Sequence, residues 1–213
     1  MAHLLRGRIE EHAANTEKGS DDASRIDLRA ALIVARELEN EGRMLHALSV
    51  LLELDRVFPN LEPIRSSLLG VARSAQTPLF AGFSADDIRA VLEATEVEHL
   101  VTGELVRHNK RSGDVLLIVV DGELAVTDHG SNGPSFEVRR LGGGECFGRL
   151  SLDDGEASSL QAIATRRTVV LSLRRGPLLK AAGERSSVWS LIDRFQREGD
   201  TLPTKDPAGV LVI

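Results

Sequence analysis

The sequence holds one cysteine, no tyrosine and one tryptophan, and aromatic residues make up only 3% of its 213 positions. A single cysteine excludes an internal disulfide and suits a reducing compartment. No apolar run approaches the roughly 20 residues of a membrane-spanning helix. The opening Met1-Ala2-His3-Leu4-Leu5-Arg6 lacks the long apolar core of a secretion signal, and Arg6, Arg8, Glu10 and Glu11 are charged. The expectation is a cytoplasmic protein with no membrane association. Arginine greatly outnumbers lysine, an association with GC-rich bacterial genomes. The net charge of −6 gives no general basic surface for nucleic acid.

Catalytic and metal constellations are also missing. His99, His108 and His129 are scattered without ligand spacing, and Cys146 has no nearby histidine or second cysteine. Cys146 therefore reads as a buried apolar residue. Ser158-Ser159 has no adjacent base motif. Gly142, Gly144 and Gly148 do not follow G-x-G-x-x-G, and no Gly-Lys-Ser/Thr follows them. No enzyme activity, metal site or resident cofactor is expected. Arg166-Arg167-Thr168 resembles a kinase target but runs into an expected strand, out of a kinase's reach. Arg107, His108, Lys110 and Arg111 read as a solvated basic loop.

Two kinds of apolar periodicity are present. Residues 26–41 carry Leu28, Ala31, Leu32, Ala35 and Leu38 at helical spacing, and Gly42 breaks the pattern. Met44 to Phe58 carries Leu45, Leu48, Leu51 and Leu52 on one broad face, and Pro59-Asn60 stops it. Leu61 to Ser74 continues as a third helix. Met1 to Lys18 has a shorter stripe, Leu4, Leu5, Ile9 and Ala13. Ser84-Ala85-Asp86-Asp87 has the form of a helix start, with Ser84 as cap.

From about Val97 the period becomes two. Val115 to Val120 is a continuous apolar, mostly β-branched run, as suits a strand covered on both faces. Asp121-Gly122 signals a tight hairpin, because glycine supplies a positive φ there. Leu124 to Val126, Phe136 with Val138, Leu160 to Ala164, and Thr168 to Leu173 follow as short strands between turns, the pattern of a sandwich or barrel. Pro177 to Ala182 and Ser187 to Arg197 close the chain as helices. Thr201 to Ile213 is a tail ending Val210-Leu211-Val212-Ile213.

The residues from Thr77 to Glu198 resemble the cyclic nucleotide-binding domain family. The resemblance rests on Pro78-Leu79-Phe80 with Gly82-Phe83-Ser84, on Gly103-Glu104-Leu105-Val106, on the hairpin from Asp114 to Val126, and on Leu141 to Leu152, in that order. It implies an α+β fold, an N-terminal α-hairpin followed by a jelly-roll β-barrel with flanking helices. The expected division is residues 1–75 helical, 76–199 barrel and 200–213 tail. Residues 26–74 also resemble a tetratricopeptide hairpin, with Ala31, Val34, Ala35 and Leu38 in its first helix, Gly42 at the turn and Pro59 closing it. An ordinary amphipathic hairpin docked on the barrel is the plainer reading.

In the barrel family a Gly-rich turn leads to a short helix whose backbone N–H groups face the cyclic phosphate. A Glu after Phe-Gly accepts from the ribose hydroxyl, and an Arg about nine residues later pairs the phosphate. Here Phe147-Gly148 is followed by Arg149, and the arginine position falls on Ser158. Both signature side chains are absent, while Asp153, Asp154 and Glu156 add negative charge. The turn and helix from Gly142 to Leu152 are expected to survive as a frame without ordinary cyclic AMP or cyclic GMP binding. The candidate, degenerate ligand site is Gly148, Arg149, Leu150, Ser158, Ser159 and Trp189. Arg149 either meets another anion or pairs with Asp153 or Glu145. Trp189, Ile192 and Phe195 either lid the pocket or pack on the barrel.

The expected function is a non-catalytic regulatory or interaction protein. The alternative is a sensor of cyclic AMP, cyclic GMP or a cyclic dinucleotide through a rewired pocket. The N-terminal helices are expected to meet a protein partner, and a second copy of the chain is a further candidate. Family transcription factors carry a helix-turn-helix after the closing helix; only about fifteen residues follow Glu198, so no DNA-binding domain is expected.

Overall fold

The computed structural model describes residues 21–74, 78–106, 114–128, 136–150 and 160–200. Three helices come first: α1 (Asp21–Asn40), α2 (Met44–Val57) and α3 (Glu62–Ala72). A 3-10 turn over Pro78–Phe80 leads to α4 (Ala85–Glu93). Ser84 caps α4 as its sequence implied, accepting from the Asp87 backbone N–H at 3.2 Å. Eight strands follow: β1 (Thr95–Leu100), β2 (Leu105–Val106), β3 (Asp114–Asp121), β4 (Leu124–Asp128), β5 (Phe136–Leu141), β6 (Cys146–Leu150), β7 (Leu160–Ala164) and β8 (Thr168–Arg174). Two helices end the described chain, α5 (Arg175–Ala182) and α6 (Ser186–Asp200).

The fold is α+β, helices followed by a jelly-roll. Its strands form two facing antiparallel sheets, β1-β8-β3-β6 and β2-β7-β4-β5. Among the described residues the sheets do not close into one continuous cylinder. Of the expected strands, the run from Val115 to Val120 is the most completely realised: all six residues are buried. Their side chains alternate between two cores. Val115, Leu117 and Val119 join Phe147, Leu124 and Ala162 inside the roll. Leu116, Ile118 and Val120 join Leu171 and Leu173 on the other face, under the helices.

That second core does not stop at the roll. It runs without a break through Leu178 and Ile192 of the closing helices, Ile88 of α4, Leu48 and Leu51 of α2, and Ile64 of α3. The α-hairpin is therefore docked on the sheet by shared burial, each fully buried leucine contributing about 1.5–3 kcal/mol. A polar contact marks the seam: His99 Nε2 of β1 lies 2.5 Å from Glu53 Oε1 of α2. His46, also on α2, has its pKa lowered, first by burial and next by Arg43, with Asp121 of the roll opposing the shift. Neither histidine carried a role in the sequence reading, because each finds its neighbours across the seam.

Three strands were not read from sequence: β1, β2 and β6. Thr95–Leu100 holds two glutamates and a histidine, so its alternation is muted. The last was expected as turn and helix, but Cys146–Leu150 is a strand paired with Ile118 through Asp114. Thr168 is buried, as expected, and its hydroxyl oxygen accepts from Glu123 N–H at 3.0 Å. Cys146 is half-buried rather than buried.

Gly122 sits at φ +99, and a Cβ there would lie 2.5 Å from the Thr168 Cα and 2.6 Å from the Arg167 carbonyl oxygen. Gly122→Ala should combine left-handed strain with a backbone clash and cost about 4 kcal/mol. Gly144→Ala, at φ +88 with nothing within 4 Å, should cost only about 1–2 kcal/mol. Denaturant midpoints of the two variants test the difference. For His46, the folded pKa lies below its unfolded value of 6.5. The unfolded chain then takes up the proton more readily, so stability falls as pH drops below about 6.5. His46→Gln should flatten that part of the stability profile between about pH 7 and pH 5, measured by urea unfolding.

Candidate functional site

The site is built around β6. Before it, the turn from Gly142 to Glu145 is fastened to β3: Gly144 N–H donates to the Val119 carbonyl at 2.8 Å, and Val119 N–H donates to the Glu145 carbonyl at 2.9 Å. Glu145 then folds back, accepting from Gly142 N–H at 2.7 Å and from Arg139 Nη2 at 3.0 Å. The Gly-rich turn thus serves packing against β3, at the end of the roll that carries the β3–β4 hairpin.

Gly148 adopts φ +89 inside β6, opposite Leu116. Arg149 stands opposite Val115, and Leu150 opposite Asp114. Arg149 reaches α6, where its Nη2 lies 3.4 Å from Asp193 Oδ1. Its sequence-expected partners were Glu145 and Asp153. Glu145 is engaged by Arg139, and Asp153 lies outside the described residues, as do Ser158 and Ser159. The Arg149 side chain is 62% exposed, so the pair stabilises the fold by no more than about 1 kcal/mol. Its effect is electrostatic: it places a carboxylate against a cation at this end of the roll. Asp193 is shared with Arg197, whose Nη2 lies 2.5 Å from Oδ2.

Two neighbouring cations are neutralised in the same way. Arg174 Nη2 lies 2.7 Å from Glu98 Oε1, and Arg175 Nε lies 3.4 Å from Asp114 Oδ1. Arg149, Arg174 and Arg175 therefore each have a carboxylate partner. The roll interior behind them is apolar, lined by Phe147, Val115 and Leu117. Among the described residues no group of three metal-ligating side chains occurs.

Leu150 and Trp189 lie on the helix side of the sheet, in the core that also holds Leu171 and Ile192. Trp189 is buried and its Nε1 donates to the Gly183 carbonyl at 3.0 Å. It belongs to helix-on-sheet packing, the plainer of the two sequence readings. Sequence reasoning missed Gln196. Its side-chain amide grips the Leu150 backbone: Leu150 N–H donates to Oε1 at 2.5 Å, and Nε2 donates to the Leu150 carbonyl at 3.1 Å. A glutamine on a polar-looking helix gives no advance signal of this. Its near-complete burial is the clue, since a buried amide needs partners.

Gln196→Leu should leave both Leu150 backbone groups unpaired and cost about 2–4 kcal/mol. Gln196→Glu keeps the acceptor but sets a carboxylate against the Leu150 carbonyl, and should also destabilise. Urea unfolding, with amide exchange read at Leu150, checks both; unchanged protection at Leu150 would show that the grip is not holding β6.

Residues 97–184 match the family model of the cyclic nucleotide-binding domain. No curated protein matches the chain. Among solved structures, the N-terminal domain of a transcriptional regulator from Streptomyces coelicolor A3(2) is similar at 22% identity and TM-score 0.46, over 62% of this chain and 96% of that one. The regulatory domain of Toxoplasma gondii PKA, crystallised with cAMP, is similar at 27% identity and TM-score 0.44, over 56% of this chain and 45% of that one. The Thermus thermophilus catabolite activator protein is similar at 27% identity and TM-score 0.44, over 58% of this chain and 60% of its own. The chain spans less than two thirds of the latter two. The match runs from within β1 to just past α5, so residues 97–184 are similar to the cyclic nucleotide-binding domain.

Proposed function

We propose that this chain is a non-catalytic regulatory module whose family ligand site has lost its ordinary cyclic nucleotide specificity. In this reading residues 76–199 form the roll domain, residues 1–75 an adaptor for a protein partner, and residues 200–213 a tail. The observation that carries the reading is Arg149. It occupies the position of the family's ribose-binding carboxylate, and its guanidinium is engaged by Asp193 of α6. The family's phosphate-pairing arginine is replaced in the sequence by Ser158.

Magnitudes support the loss. A hydrogen bond to a charged group contributes about 1.5–3 kcal/mol, so two such losses weaken binding by roughly a hundredfold or more. The sensor alternative has one observation in its favour: the Arg149 pair is exposed and long at 3.4 Å, so a ligand anion could compete with Asp193. That reading requires a cyclic AMP, cyclic GMP or cyclic dinucleotide phosphate to meet Arg149 in place of the carboxylate.

Calorimetry with cyclic AMP and cyclic GMP separates the two. Wild type should not bind tightly. Ser158→Arg should tighten binding about tenfold or more, since the phosphate carries the ligand's full charge. Arg149→Glu alone should add little, because it sets another anion near that phosphate. The double variant should bind best. Tight binding by wild type, lost on Arg149→Ala, would instead establish the sensor.

A further inference from the structure

Strand β5 is the outermost strand of its sheet, paired with β4 on one side and with no strand on the other among the described residues. An open edge presents unpaired backbone N–H and C=O groups, and proteins ordinarily protect it with charged side chains, proline, a bulge or a covering element. This edge reads Phe136-Glu137-Val138-Arg139-Arg140-Leu141, with neither lysine nor proline. Phe136 is 58% exposed and Val138 is 50% exposed, the two most exposed large apolar side chains of the roll's second sheet.

The charges along this edge have a pattern. The pairing with β4 runs Val126 to Arg139 and then Thr127 to Glu137, leaving Val138 as an extra, bulged residue. The bulge brings residues three apart to one side. Glu137 and Arg140 are joined there by two bonds, Nε to Oε1 at 2.6 Å and Nη2 to Oε2 at 3.1 Å. A carboxylate and a guanidinium therefore lie at equal distances on either side of the point between Val138 and Arg139. A two-fold axis through that point sets Glu137 of each strand against Arg140 of the other. It also sets Phe136 against Leu141 and Val138 against the aliphatic stem of Arg139. Registers centred on Glu137 or on Arg139 oppose like charges and are disfavoured.

We propose that a second copy of this chain pairs with the free edge of β5, giving an isologous antiparallel ladder held by two reciprocal Glu137–Arg140 pairs. A self-complementary edge of this kind closes on itself as a two-fold dimer. One six-residue ladder is a small interface, so the association is weak, with a Kd of about 0.1 mM. The pairing is independent of whether a nucleotide binds the roll.

Sedimentation velocity on the full chain from about 5 to 500 µM tests it, a range bracketing that Kd. Wild type should shift from monomer to dimer with concentration. Glu137→Arg alone, with four arginines facing across the axis, should remain monomeric, and so should Arg140→Glu alone. An equimolar mixture of these two variants should recover the dimer, because each arginine at 137 or 140 then faces a glutamate. Phe136→Lys, which touches neither ion pair, should weaken the dimer about tenfold. Recovery on mixing cannot come from chains that fail to fold. A wild type that stays monomeric throughout, single reversals that dimerise as well as wild type, or a mixture that stays monomeric would each overturn the proposal.

Discussion

The central strands β3 and β8 of the sheet β1-β8-β3-β6 are buried on both faces, and the rest of the molecule takes its position from them. Alternate residues of one strand, Leu116, Ile118 and Val120 against Val115, Leu117 and Val119, feed two separate apolar cores. A one-residue slip of β3 would exchange the two sets and ruin both packings at once. The register is therefore fixed twice over, and it aligns Arg149 with Val115 and Leu150 with Asp114. Arg149 is placed by this constraint rather than by its pair with Asp193, which is exposed and weak.

How far the fold was legible follows from where each signal resides. Val115 to Val120 is a local signal, six apolar residues bounded by turn formers, and it was readable as a strand covered on both faces. The helical stripes of α1 to α4 and the Ser84 cap are local too. Strand β1 was missed because Glu96, Glu98 and His99 interrupt its apolar alternation, and their reasons for being there lie elsewhere in the chain. Glu98 meets Arg174, and His99 meets Glu53 of α2. Strand β6 was missed because two glycines flanking Glu145-Cys146-Phe147 look like turn punctuation, and the family pattern suggested a helix.

For the site, the sequence supplied the substitution at Arg149 but not its consequence. Asp193, which engages Arg149, is forty-four residues away, and nothing local links the two. Gln196 was invisible for the same reason: its role exists only once α6 lies along β6. Trp189, Ile192 and Phe195 were legible as an apolar stripe. Only the structure assigns Trp189 and Ile192 to the helix-side core, with Phe195 packed against it, and the ring nitrogen of Trp189 to Gly183.

The unbroken core beneath the helices separates two units that are often taken as one. The segment that matches the family model runs from residue 97 to 184. The segment whose apolar surfaces bury one another is larger, since Leu48, Leu51 and Ile64 before it and Ile192 after it belong to the same core as Leu171 and Leu173. Cut out at the matched boundaries, the roll would keep α5 but lose α1–α4 and α6, and would expose much of that sheet face to water. In this chain the segment that matches the family is thus smaller than the module that folds. Changes far outside the matched segment act on it as core mutations do.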